Sequence, residues 1–121
     1  MKNITDMTPA ELRIACSEKC GWKNIRWIES ISGKWLCGDH PNKDSEIPKF
    51  NIDMNACMEL MERIWEKYPD ARIFKYNKNK YAIGWNYGYT KLVGSFVADS
   101  LTFDDIINLA IMRAFLTVME E

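Results

Sequence analysis

The stretch at residues 53–87, DMNACMELMERIWEKYPDARIFKYNKNKYAIGWNY, contains two different hydrophobic periods. In its first part apolar residues recur at i, i+3, i+4 and i+7, which predicts an amphipathic helix that Asp53 caps and Pro69 ends. In its last part Tyr81, Ile83, Trp85 and Tyr87 alternate with other residues, as on one face of a β-strand. A helix followed directly by strands predicts an α+β fold.

The strands continue beyond this stretch. Residues 72–77, 80–87 and 90–98 are rich in aromatic and β-branched side chains and are separated by turn residues, which predicts a three-stranded antiparallel meander. The segment Thr102-Phe103-Asp104-Asp105 then predicts the start of a C-terminal helix, because carboxylates favour the positive end of a helix.

An N-terminal helix is predicted at about residues 9–20. Thr8 is a good cap, Pro9 suits the first turn, and Glu11 has the position that closes a capping box. Gly21 follows as the residue that ends the helix. The chain thus has three predicted helices and one meander.

Length and charge restrict the class of protein. A chain of 121 residues with 47% hydrophobic residues is the size of a single domain, and we take residues 1–121 as one. The formal charge of −1 provides no overall attraction for nucleic acids or anionic membranes. With no signal-peptide pattern and no apolar run of membrane-spanning length, we expect a cytoplasmic protein that does not contact a membrane.

Residues 22–50 show little periodicity, apart from a possible hairpin around Ser32-Gly33. This segment contains Trp22, Trp27 and Trp35. An irregular segment is not expected to bury all three of these large side chains. Because aromatic residues dominate the energetics of protein interfaces, these three are the predicted binding residues.

Residues 16–40 contain three of the four cysteines and the single histidine, in the order Cys16, Cys20, Cys37, His40. Three thiolates and one imidazole form a known structural zinc set, but the spacing also suits two small core side chains and a loop histidine, which is the interpretation we favour. Cys37 with His40 is also a conceivable nucleophile and base, yet no third residue or oxyanion element accompanies them. With no nucleotide-binding or metalloprotease motif either, we expect no cofactor and no enzymatic activity.

A second alternative concerns nucleic acids. The predicted hairpin at residues 72–87 combines basic and aromatic residues, as do proteins that bind single strands. A soluble hairpin above a core has the same composition, and the overall charge does not support this function. The residues concerned are Arg72, Lys75, Lys78 and Lys80 with Tyr76, Tyr81, Trp85 and Tyr87.

The C-terminal helix is apolar around most of its circumference, with only Asn108, Arg113 and Thr117 polar between residues 106 and 119. Such a helix is either buried in its own chain or half buried in a partner. Under the second interpretation a two-fold homodimer would form through this helix. The predicted contact residues are Leu109, Met112 and Leu116.

The order of the predicted elements, with ELRIACSEKCGW at 11–22, FNIDMNACMELMERI at 50–64 and DSLTFDDIINLAIMRAFL at 99–116, resembles the phage ABA sandwich domain. Gly21-Trp22 and Asp53 are the most specific points of this likeness, whereas Cys16 and Cys20 stand where the family has apolar residues. The resemblance implies an α-β-α sandwich and implies no catalytic residue.

The three tryptophans favour a protein that acts by binding another protein. The resemblance implies that it is a small phage or prophage accessory protein of the host cytoplasm, for example one that inhibits a host or defence factor. The alternative is a nucleic-acid-binding module, either stabilised by zinc or using the basic hairpin.

Overall fold

The computed structural model describes residues 3–40, 44–77, 80–90, 95–104 and 106–120. The fold is α+β, as predicted, with three α-helices and a three-stranded antiparallel meander. After a short 3-10 helix at Ile4–Asp6, the elements are α1 (Pro9–Lys19), β1 (Lys23–Ser30), β2 (Gly33–Asp39), β3 (Asp44–Glu46), α2 (Met54–Lys67), β4 (Arg72–Asn77), β5 (Lys80–Thr90), β6 (Ser95–Asp104) and α3 (Ile107–Met119).

Helix α1 begins as its sequence predicts. The Thr8 hydroxyl accepts a hydrogen bond from the Glu11 backbone N–H at 3.2 Å, and the Glu11 carboxylate accepts one from the Thr8 N–H at 3.1 Å. This reciprocal pair satisfies two backbone donors at the start of the helix. Leu12 and Cys16 are buried on the inner side of α1, and Met7 packs against the same core.

Helix α2 begins at the predicted cap, where the Asp53 carboxylate accepts hydrogen bonds from the backbone of Asn55 and Ala56. Its inner side is fully buried, at Cys57, Leu60, Met61 and Ile64. Trp65 lies at the edge of this side and donates from its indole nitrogen to the carbonyl oxygen of Ala71 at 2.8 Å. The bond connects the helix to the start of β4.

The meander β4-β5-β6 is antiparallel throughout, and its middle strand carries the core. Ile83 and Trp85, predicted to share one face of the strand, are both fully buried, and Trp85 stacks on Tyr68 with ring centroids 5.6 Å apart. Ala82, on the opposite face, is buried as well. At this level β5 is therefore covered on both faces.

The predicted boundary between the third strand and the C-terminal helix is wrong. Strand β6 runs to Asp104, so that Thr102 and Phe103 pair with β5, and α3 begins at Ile107 without a side-chain cap. Thr102 and Asp104 have a local preference for the start of a helix, but in the structure they pair with β5, and this strand pairing outweighs the local preference. Asp105 lies outside the described residues.

Residues 22–50, predicted as irregular apart from a hairpin, form a second antiparallel sheet in the order β1-β2-β3. The predicted hairpin is present, with Ser30 paired to Gly33 across a two-residue turn. Strand β3 pairs only with the end of β2, from Cys37 to Asp39. The outer part of the hairpin thus has no third strand among the described residues.

Helix α3 is the centre of the core. It contacts α1, α2, β5, β6 and the 3-10 helix. The three predicted contact residues of a homodimer, Leu109, Met112 and Leu116, are buried within their own chain, so they are not available to a second copy. Whether the chain forms a dimer stays a prediction. The exposed large apolar side chains at α3 lie at its two ends, Ile106 before its first residue and Met119 at its last.

Candidate binding surface

The hairpin of β1 and β2 presents large apolar side chains to solvent. In its outer part Trp27 is 54% exposed, Trp35 and Ile28 are each 37% exposed, and Ile31 at the turn is fully exposed. Isolated exposed apolar residues are common on protein surfaces, whereas a group of four on one small element is typical of an interaction site. We call these four residues the hairpin surface.

The register of the two strands divides the hairpin surface between two faces. Trp27 is paired with Leu36, and Ile28 is paired with Trp35. Directly paired residues point to the same side of an antiparallel sheet, and successive residues point to opposite sides. Trp27 and Trp35 therefore project from opposite faces.

Trp35 is held in place from two directions. Its indole nitrogen donates a hydrogen bond to the Ser30 hydroxyl at 2.9 Å. The ammonium nitrogen of Lys49 lies 5.8 Å from its ring centroid, and Lys49 is paired in turn with Glu46 at 3.6 Å. A half-exposed indole with fixed neighbours loses little conformational freedom when a partner binds.

Trp27 lies at the outer end of a small buried cluster that is separate from the main core. Leu36, its paired residue, and Ile47 are both almost fully buried. Gly38 belongs to the same cluster: an added Cβ would lie 3.0 Å from the Lys23 carbonyl oxygen and 3.1 Å from a side-chain carbon of Ile25. The base of this face is therefore packed, and the hairpin becomes exposed only toward its tip.

The third predicted residue, Trp22, does not belong to the hairpin surface. It precedes β1, is half buried, and stacks on the ring of His40 with centroids 5.1 Å apart. The Nε2 atom of His40 is hydrogen-bonded to the carbonyl oxygen of Cys20 at 3.1 Å. Gly21 has a φ of +100°, and an added Cβ there would lie 3.3 Å from the His40 ring. Trp22 and His40 therefore fasten the hairpin to the end of α1.

Arg13 makes a second attachment of the small sheet to α1. Its guanidinium group donates to the carbonyl oxygens of Ile47 at 2.7 Å and Pro48 at 2.9 Å, and lies 3.9 Å from the Glu46 carboxylate. The side chain is 12% exposed, so these charge-assisted bonds are shielded from water. They hold β3 and the segment after it against the helix.

The cysteines predicted as alternative metal ligands do not assemble. All four cysteines of the chain are thiols, and among the residues that the structure describes no three His, Cys, Asp or Glu side chains stand close enough to hold a metal ion. The Cys16 thiol donates to the Met112 carbonyl oxygen at 3.6 Å, and burial raises its pKa well above the ordinary value. His40 contacts the backbone of Cys20 and not its sulfur. Cys16 is thus a core side chain.

In the basic hairpin, considered as a nucleic-acid-binding site, Trp85 is fully buried and is therefore not available to stack on a base. The ammonium nitrogen of Lys75 lies 5.9 Å from the half-buried Tyr81 ring, and Arg72 is exposed. Lys78 lies outside the described residues, as do the side chains of Tyr76, Lys80 and Tyr87.

Sequence reasoning missed Ile28, Ile31 and the neighbours that position Trp35. The signal was present in the stretch WIESISGKW at residues 27–35, in which apolar residues stand on both sides of a Ser-Gly turn. What was missing is that the outer hairpin leaves apolar side chains exposed on both of its faces, because local pattern carries no information on exposure.

Comparison with protein-family models, with curated proteins and with solved structures finds no match for this chain. No helix in the described part of the chain has the length and apolar character needed to cross a membrane.

Proposed function

We propose that this chain acts by binding a protein partner through the hairpin surface formed by Trp27, Ile28, Ile31 and Trp35. The observation that carries the proposal is the exposure of these four apolar side chains on an element that is itself well anchored. Exposed indoles with fixed neighbours are typical of interface hot spots. Their burial removes a large apolar area from water, and the side chain loses little conformational entropy.

The biological setting that we propose follows the sequence resemblance to the phage ABA sandwich domain. A small phage or prophage accessory protein of the host cytoplasm, with no catalytic activity, is consistent with a chain that exposes four large apolar side chains on one hairpin. Burial raises the pKa of the Cys16 and Cys20 thiols, so these two side chains are poor nucleophiles, because the thiolate is the reactive form. Blocking a host or defence factor is one outcome that such binding would have.

The test is capture of a partner from the native cell by the purified chain, compared with its variants. Trp27→Ala and Trp35→Ala should each weaken binding about 30-fold, the effect of losing a hot-spot residue worth about 2 kcal/mol. Met119→Ala is the matched control, because Met119 is 41% exposed at the end of α3, outside the hairpin. A partner whose binding is unchanged by both tryptophan substitutions would show that the hairpin is not the binding surface.

A further inference from the structure

We draw no further inference here: the strongest candidate, the exposed apolar hairpin surface on β1 and β2, belongs to the site already described, and nothing in the structure shows what covers it, since Lys34 and Lys49, the cations next to Trp35, are already paired with Glu29 and Glu46.

Discussion

Helix α3 and the hairpin of β1 and β2 are both rich in large apolar side chains, yet the fold treats them in opposite ways. Around α3 every neighbouring element contributes cover, and even Leu109, Met112 and Leu116 are buried. In the outer hairpin, Trp27 and Trp35 remain exposed on opposite faces. Apolar content therefore does not identify a binding surface. What identifies it is apolar surface that the chain leaves uncovered.

The largest expected effect is at α3. Leu116→Glu places a carboxylate at a position that is 2% exposed, so we expect a loss of at least about 4 kcal/mol in the free energy of unfolding. Urea unfolding followed by circular dichroism measures this loss, with Leu116→Met as the conservative control. A Leu116→Glu chain that stays stable, together with light scattering that shows a dimeric wild type, would support the dimer hypothesis.

The next effect concerns the attachment of the small sheet. Arg13→Met removes two charge-assisted hydrogen bonds to carbonyl oxygens and one ion pair, so we expect a loss of about 2–3 kcal/mol. Hydrogen exchange should show lost protection at the Ile47 amide, which bonds to the Leu36 carbonyl oxygen. Arg63→Met, at an exposed site on α2, is the control. Unchanged exchange at Ile47 would mean that the hairpin is held by other contacts.

A buried thiol under α3 gives a pH-dependent test. Burial raises the pKa of Cys57 from an ordinary 9.0 to about 12, so the unfolded chain loses this proton first as pH rises. The stabilisation is complete below pH 9.0 and is lost between 9.0 and about 12, by about 1.4 kcal/mol per pH unit. The free energy of unfolding should be measured for wild type and for Cys57→Ala at several alkaline pH values. Its decrease per pH unit should be smaller in the variant by that amount. Equal slopes in both proteins would indicate that this thiol reaches solvent.

The smallest expected effect is on the hairpin. Trp27→Ala should change the free energy of unfolding by less than about 0.5 kcal/mol, because the indole contributes little to folding where it is exposed. Trp85→Ala is the matched comparison, since Trp85 is fully buried and its loss should be about 3–5 kcal/mol. Urea unfolding of both variants measures the two losses in the free energy of unfolding. A large loss for Trp27→Ala would remove the contrast between the two regions.

The sequence predicted much of the fold but less of the site. The caps at Thr8 and Asp53 were predicted correctly, because a capping bond joins residues that are two or three positions apart. The start of α3 was predicted wrongly, since Thr102 and Asp104 pair with β5 instead. Of the three predicted binding tryptophans, the structure places two on the exposed hairpin and stacks Trp22 on His40. Whether the exposed pair binds a partner stays a prediction.

The amino-acid sequence by itself determined the α+β class, the helices α1 and α2 and the strand β4, since hydrophobic period and end signals act within a few residues. Only the tertiary structure decided which apolar residues face solvent. Exposure depends on which other segments pack on a surface. The 3-10 helix, α1, α2 and β5, all distant in sequence, pack on α3, whereas β3 pairs only with the end of β2. That difference in long-range contact, absent from any local pattern, leaves Trp27 and Trp35 exposed while Leu116 is buried.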